Sequence, residues 1–537
     1  LVTHPAHLRS ASREACFGEG PLGILAHVGR PTMPPKQPDI LFIVLDAARA
    51  ENFSVYGYDR PTTPNLERLA GGLALYDQCI STATWTLPST AGLFTGTYAS
   101  THRLVVDGDR LDDSYDSLPE LLTREGYRTA KVMGDVPYVS DFSGMERGFA
   151  ENFEPPPPTW RRALSALRPS RSAPAEGADD GPADLGRIDH DLDLEAEAQL
   201  HQRASLRSQL SFWMTGLHDD GAASCFDRVR EIFQESDERP RFVYAHLMET
   251  HGEYRPPHRY RKRFVPPELR GKNFAAINQR PNPHAVGLVD MSEEDFSILH
   301  GLYDGCIAYM DELLGSLLDD LAKTPRWDET MVVITADHGD CVGRHGVLGH
   351  QFVCYDELLR IPWIVKWPKS VGITGPQSEL IQNADLVPTL CGLLGIERPE
   401  RCETIDHLNE SREFAYAELL KPFGVTAVKQ GLHERAPHLD RAVLAVRSGT
   451  HKRIVYTNDQ PDELFDLRSD PREERNLIDD PAVASDEHVQ ALERAVEGWR
   501  PRFEAAASDI AQRIRSGEEA EISSDVEAKL RALGYLD

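Results

Sequence analysis

The stretch Ile40-Leu41-Phe42-Ile43-Val44-Leu45-Asp46 decides the fold class. Six apolar residues without polar alternation suit a strand covered on both faces, as in a parallel sheet. The acid that ends the run then lies at the strand's carboxyl edge, where open α/β sheets place their ligands. Four further strand candidates follow at 128–133, 242–248, 331–336 and 362–366. The run at 242–248 delivers Glu249 and His251, and the one at 331–336 ends in Asp337-His338-Gly339-Asp340. Helical patterns lie between them, with Leu66, Leu69 and Leu73 at one turn's spacing, a short helix over 118–125 and a long one over 297–321. This alternation predicts an α/β architecture, a mixed and mostly parallel sheet with helices on both faces. After about Gly395 the pattern changes to short alternating strands (414–418, 442–447, 453–457, 463–467) and one long polar helix, which predicts a smaller C-terminal α+β subdomain. The expected organisation is a disordered leader over 1–35, a large domain over 36–395, the α+β subdomain over 396–505 and a helical tail over 506–537. An insertion or peripheral cover is expected over 154–235, opened by four successive prolines from Pro155.

At 537 residues, 40% hydrophobic and 27% charged, the chain can build a large core and reads as a globular protein. The 86 acidic residues outnumber the 58 basic ones, for a net charge of -28. Nucleic-acid binding needs the opposite sign, so no nucleic-acid partner is expected. The basic residues are mostly Arg. An acidic, Lys-poor surface suits high salt, where its self-repulsion is screened, and a halophilic source is expected. None of the eight cysteines (Cys16, Cys79, Cys225, Cys306, Cys341, Cys354, Cys391, Cys402) forms a Cys-x-x-Cys pair, which argues against a zinc ribbon or a thioredoxin-like site. The sequence has no apolar run of about 18 residues and no h-region near its start, so a cytoplasmic protein without an integral membrane segment is expected, with Met33 a candidate start residue.

The chemistry centres on Trp85-Thr86-Leu87-Pro88-Ser89-Thr90-Ala91-Gly92-Leu93-Phe94-Thr95-Gly96. Pro88 suits the first turn of a helix, which places Thr86 at its start beside free amides and a partial positive charge. A hydroxyl there can meet an electrophilic phosphorus or sulfur centre. Asp46 and the Asp337-His338 pair arrive from two strand ends. Carboxylate and imidazole together suit a divalent cation such as Mn, Mg, Ca or Zn. Such an ion would ease loss of the Thr86 proton and neutralise charge on a phosphoryl or sulfuryl oxygen. His251, His345 and His350, with His102, are candidates for proton transfer.

In this constellation the chain resembles the sulfatase-like branch of the alkaline phosphatase superfamily. Asp46-Ala47-Ala48-Arg49 with Tyr56-Gly57 resembles its first metal-ligand segment, Thr86 to Gly96 its nucleophile signature, and Asp337-His338-Gly339 with His345-Gly346 and His350 its second metal segment. Asp385 to Leu390 and Glu463 to Leu467 resemble later markers. The resemblance implies an alkaline-phosphatase-like fold, metal ligands Asp46, Asp337 and His338, and a Thr86 nucleophile. It also implies His251 and His350 as groups that orient the substrate or protonate the leaving group, and Arg49, His102 and His345 as substrate contacts. Three departures bear on the reaction. Thr86 stands where sulfatases carry the Cys that becomes formylglycine, Thr90 replaces the signature Arg, and Ala47 replaces a second Asp. These features resemble the single-metal site of lipoteichoic acid synthase and phosphoethanolamine transferases, which attack a phosphodiester with Thr. The expectation is a metal-dependent hydrolase or transferase acting on a small-molecule, glycan or lipid phosphate or sulfate ester, with phosphodiester chemistry favoured. The alternatives are a sulfuric ester hydrolase and an inactive member that binds an anionic glycan. The charge balance carries its own prediction: circular dichroism should show the fold lost on transfer from molar salt to low-salt buffer, and an unchanged spectrum rejects adaptation to high salt.

Overall fold

Ile40–Leu45 forms β1, and all six residues are buried. The other strands, in chain order, are β2 (Ala74–Ile80), β3 (Arg128–Met133), β4 (Glu151–Phe153), β5 (Arg241–Leu247), β6 (Met331–Thr335), a short hairpin of β7 (Cys341–Val342) and β8 (Leu348–Gly349), β9 (Arg360–Lys366), β10 (Gly375–Gln377) and β11 (Ile381–Gln382). The computed structural model describes residues 37–134, 136–155, 219–421 and 431–516. Among these, nine strands build one sheet in the order β10-β2-β9-β6-β1-β5-β3-β4, with β11 also paired to β2. Every pairing is parallel except those of β9, which runs antiparallel to β2 and to β6. The mixed, mostly parallel sheet expected from the apolar runs is therefore present. β2 escaped the sequence reading because its centre carries the exposed Asp77 and half-buried Gln78, which break a continuous apolar pattern. The short β4, β10 and β11 leave too little pattern to read.

The helices that matter here are α1 (Thr86–Thr95), α2 (Leu118–Arg124), α3 (Ala222–Gln234), α4 (Glu293–Leu321), α5 (Leu386–Leu394) and α6 (Glu487–Ser516). α4 begins four residues before the expected start because Ser292 caps it. The Ser292 Oγ accepts from the Asp295 N–H at 3.2 Å while Asp295 Oδ2 accepts from the Ser292 N–H at 2.9 Å, a reciprocal capping box. α3 falls in the segment expected to be a peripheral cover, yet Cys225, Phe226, Val229, Ile232 and Phe233 are buried in the main core. It is a core helix whose exposed face is polar. Residues 156–218 of that segment, the leader over 1–35 and residues 517–537 lie outside the described residues. No helix among the described residues is long and apolar enough to cross a membrane.

The C-terminal part is a four-stranded antiparallel sheet, β12 (Ala415–Leu419), β13 (Val443–Arg447), β14 (His451–Tyr456) and β15 (Glu463–Asp466), in sequential order. Its side chains alternate between two apolar clusters, as a strand's period of two requires. Val443, Ala445, Ile454 and Phe465 pack with Phe352, Val353 and Tyr355 of the segment that follows β8. Leu444, Val446, Val455 and Leu464 pack instead under Leu492, Val496, Phe503 and Ile510 of α6. α6 runs through the expected boundary at 505/506, so residues 506–516 belong to this packing.

A buried ion network ties the two parts together. Lys452 is 0% exposed and reaches Asp356 Oδ1 at 2.8 Å and Glu473 Oε1 at 2.7 Å. Arg447 Nε meets the other Asp356 oxygen at 3.1 Å. Burial alone would lower the Lys452 pKa, but the two carboxylates outweigh it and raise it. Removing the central cation leaves buried carboxylates uncompensated, which costs about 3–5 kcal/mol. Lys452→Met should therefore lower the stability read by urea unfolding by that amount, and a loss within experimental error excludes the network as the clamp.

Candidate active site

β1 lies between β5 and β6, with Val44 opposite His246 on one side and Thr335 on the other. This register brings three carboxyl ends together. Asp46 leaves β1 with its N–H donating to Leu247 O at 2.9 Å, and the Thr250 hydroxyl donates to Asp46 O at 2.7 Å. The chain then turns sharply at Ala47, whose φ of 61° is left-handed, a conformation costly for a residue with a Cβ. Hydrogen bonds hold it there: the Ala47 N–H donates to Asp337 Oδ1 at 3.2 Å and the Tyr303 hydroxyl donates to Ala47 O at 2.8 Å. On the β6 side, a Cβ on Gly339 would lie 1.9 Å from Glu357 O. Only glycine lets the Asp337-His338 turn pass so close to that backbone.

Thr86 is the first residue of α1, after an extended Trp85 with φ -149°. Its Oγ1 lies 3.3 Å from His338 Nε2 and 3.5 Å from Asp46 Oδ2. Ser81 and Ser89 hydroxyls both donate to Asp337 O at 2.6 Å, fastening α1 to the β6 end. The His338 Nδ1 is 2.7 Å from Gly339 O. A carbonyl accepts only, so Nδ1 carries the proton and Nε2 offers its lone pair to the site. Thr86, Asp46, Asp337 and His338 are each no more than 1% exposed.

His246 of β5 joins this group, a residue that the sequence reading passed over. Its Nε2 is 3.0 Å from Asp46 Oδ2 and 3.9 Å from Asp337 Oδ2. Asp46, His246 and Asp337 each offer a ligand atom, all within 4.8 Å of one another. His338 Nε2 is 3.4 Å from Asp337 Oδ2 and 3.7 Å from Asp46 Oδ1. Asp46 Oδ1 and Asp337 Oδ2 are buried without a hydrogen-bond partner. Two buried carboxylates with unpaired oxygens beside two imidazole nitrogens are a donor set that fits a divalent cation. Burial would raise the Asp46 pKa, but His251, His246 and His338 outweigh it and hold the carboxyl well below the usual range.

Two more histidines border the group. The His350 ring is tilted against His338 at 4.4 Å between centroids and meets His251 edge-on at 5.1 Å. His350 Nδ1 is 3.3 Å from Asp340 Oδ1, and the Tyr254 hydroxyl donates to Asp340 Oδ2 at 2.5 Å. His251 Nδ1 is held by Gly252 O at 2.6 Å. Burial would raise the Asp340 pKa, but the hydrogen bond from His350, its charge and that of His251 outweigh it and lower it. Neither Asp340 nor Tyr254 carries a local sequence mark of this role.

Three expected substrate contacts are placed elsewhere. Arg49 is 0% exposed, pairs with Glu357 at 2.8 Å and lies over the Tyr303 ring at 4.7 Å. Its charge is used inside the fold. His102 is buried, its Nδ1 accepts from the Leu104 N–H at 3.1 Å, and burial pushes its pKa down to about 3. It is a neutral packing residue behind Pro88. His345 adopts φ 56° and stacks on Tyr355 at 3.8 Å. It lines a cavity of about 370 Å³ with His284, Arg441, Tyr456 and Glu463, away from the carboxylates.

Comparison with known proteins shows the family and the fold of the chain. The family model described as Sulfatase matches residues 38–396, and one described as N-sulphoglucosamine sulphohydrolase, C-terminal, matches residues 343–499. The N-acetylglucosamine-6-O-sulfatase of Bacteroides thetaiotaomicron is 23% identical over 496 residues, which cover 82% of this chain and 83% of that one. The choline-sulfatase of Rhizobium meliloti is 26% identical over 466 residues, covering 83% of each. Among solved structures, the phosphonate monoester hydrolase of Agrobacterium radiobacter superposes with a TM-score of 0.64 at 20% identity, covering 87% of this chain and 96% of that one. That likeness shows a shared fold. The matched segment holds Asp46, Thr86, Asp337 and His338 together, and the chain belongs to the sulfatase family.

Proposed function

We propose that this protein is a metal-dependent ester hydrolase that attacks tetrahedral phosphorus or sulfur through Thr86, with phosphodiesters as the favoured substrates. The observation that carries the reading is the Thr86 hydroxyl at a helix start, 3.3 Å from the His338 Nε2 lone pair and 3.5 Å from Asp46. Asp46, Asp337 and His338 would hold a divalent ion. When bound, that ion supplies Lewis acidity, which lowers the pKa of a hydroxyl in contact with it and offsets charge on the ester oxygens.

The chain's own groups account for the rest. Thr86 gives its proton towards Asp46 Oδ2, 3.5 Å away, and its oxygen bonds to phosphorus while the bond to the leaving alkoxide breaks. The alkoxide takes a proton from His350 or His251. The amides of the first turn of α1 face the negative charge that builds up. Water then attacks the same phosphorus, the bond to Thr86 breaks, and the hydroxyl is restored. Threonine has one hydroxyl and no geminal partner, so the adduct leaves only by this direct attack. Asp340 and Tyr254 position His350 rather than touching substrate.

Sulfate ester hydrolysis is the second reading, favoured by the names of the relatives, which include an N-acetylglucosamine-6-O-sulfatase and a choline-sulfatase. Paired assays separate the two. With added Mn or Mg the enzyme should cleave bis-p-nitrophenyl phosphate faster than p-nitrophenyl sulfate, and the reverse order favours the sulfatase reading. Thr86→Ala should lower kcat/KM on the better substrate by on the order of 10³-fold or more, and mass spectrometry of wild type quenched during turnover of the diester should find a p-nitrophenyl phosphoryl group on Thr86. Equal activity in wild type and Thr86→Ala removes the covalent mechanism, and turnover of neither ester leaves only a binding role.

The leaving-group role has a separate signature. His350→Ala should slow hydrolysis of an alkyl diester about 10²- to 10⁴-fold and barely change a p-nitrophenyl diester, whose leaving group departs unprotonated. Equal losses on both substrates place His350 outside proton transfer.

A further inference from the structure

Ala47 stands where the sulfatase pattern has a second carboxylate, so the expected ligand set is one donor short. We propose that His246 replaces it, as a direct ligand on β5, and that the resulting two-imidazole, two-carboxylate set selects a first-row transition ion such as Zn or Mn over Ca. The proposal rests on the metal-dependent reading above and deepens it.

The distances carry the assignment. Donors that share one ion at about 2.1 Å sit roughly 3.0–3.5 Å from one another. His246 Nε2 is 3.0 Å from Asp46 Oδ2 and 3.9 Å from Asp337 Oδ2. Thr86 Oγ1 to His338 Nε2, at 3.3 Å, falls in that range, while His338 Nε2 to Asp46 Oδ1 at 3.7 Å and His246 Nε2 to Asp337 Oδ2 at 3.9 Å lie a few tenths of an ångström beyond it. His246 is 0% exposed, so water cannot take up its Nε2 in place of a partner within the group.

The support behind the ring is also built. His246 Nδ1 is 2.8 Å from the Tyr244 hydroxyl, two residues back on the same face of β5. With Nδ1–H donating to that oxygen, Nε2 is left as the lone pair that a metal needs. A hydrogen bond on the far nitrogen of this kind fixes the tautomer and raises ligand basicity. Thr90, which stands at the signature Arg position, is buried beside the Tyr244 phenol. The two departures at 47 and 90 thus meet on one device. The carboxylate lost at 47 is answered by an imidazole from β5, and the small Thr90 side chain leaves room for the tyrosine that orients it.

Donor chemistry then decides the ion. Ca favours six to eight oxygens, whereas imidazole nitrogens suit Zn and the later first-row ions, and affinity for a mixed nitrogen and oxygen site rises along the first row from Mn. The set here offers two nitrogens, His246 Nε2 and His338 Nε2, and Asp46, Asp337 and the Thr86 hydroxyl as oxygens.

The test uses the full chain, stripped with chelator and reloaded with Mn(II). Pulsed electron paramagnetic resonance should count two imidazole nitrogens on Mn in wild type and one in His246→Gln. Mn dissociation constants from calorimetry should rise about 10- to 100-fold in His246→Gln, while weak Ca binding changes little. Adding Ala47→Asp to His246→Gln should recover binding and shift the preference towards Ca. A single imidazole in wild type, or an unchanged Mn constant in His246→Gln, overturns the ligand assignment. If His246→Gln does not fold, the nitrogen counts of wild type and Tyr244→Phe decide, and fewer than two in wild type overturns it. Asp337→Asn separates this from the parent reading: Mn binding that survives in Asp337→Asn, or that is absent from wild type, removes the metal site altogether.

Discussion

Two buried carboxylates at the ends of neighbouring parallel strands set the terms for the rest of the molecule. Asp46 and Asp337 are each no more than 1% exposed, and burying like charges together is unfavourable unless a cation or hydrogen bonds compensate. Much of the surrounding architecture answers that demand. His246 and His338 lie against the carboxylates, the Ala47 N–H and His338 N–H both donate to Asp337 Oδ1, and α1 directs its amide end at the same point. The left-handed turn at Ala47 and the close pass at Gly339 are local costs that keep both acids at the sheet edge. The sheet absorbs them because its central strands are buried on both faces.

The C-terminal sheet serves the same site from a distance. One of its faces packs on Phe352, Val353 and Tyr355, just beyond His350. Its other face is covered by α6, whose Trp499 stacks on Tyr416 at 4.0 Å and donates to Glu418 at 2.7 Å. A sheet buried on both faces holds its neighbours more firmly than one open to water on one side. The Lys452 network joins this rigid block to Asp356, immediately after the packed segment. The position of His350 therefore depends on residues about 100 positions later in the chain.

Much of the fold was legible because its signals are local. Continuous apolar runs marked β1, β5, β6 and β9, and their lengths are close to those observed. Signals failed where the pattern was short or interrupted, as in β2 with its exposed Asp77, and where an amphipathic helix such as α3 lay next to a stretch of biased composition. Among site residues, Asp46, Thr86, Asp337 and His338 were readable because each begins a helix or lies within three residues of a strand's carboxyl end. Arg49, His102 and His345 lie in sequence beside those segments, but their side chains point to Glu357, to the backbone of Leu104 and to Tyr355.

By itself the sequence determined the class of fold, the order of its strands along the chain and the three strand or helix ends that carry the candidate site residues. Periodicity and end signals are properties of a few consecutive residues, and they survive in one dimension. Only the tertiary structure decided that β1 lies between β5 and β6, and hence that His246 faces Asp46 across 200 residues of sequence. It also decided that Asp340 and Tyr254 stand behind His350. Strand neighbours are chosen by burial over the whole sheet, and a side chain one residue before the end of a strand carries no local mark of the partner that the register will give it.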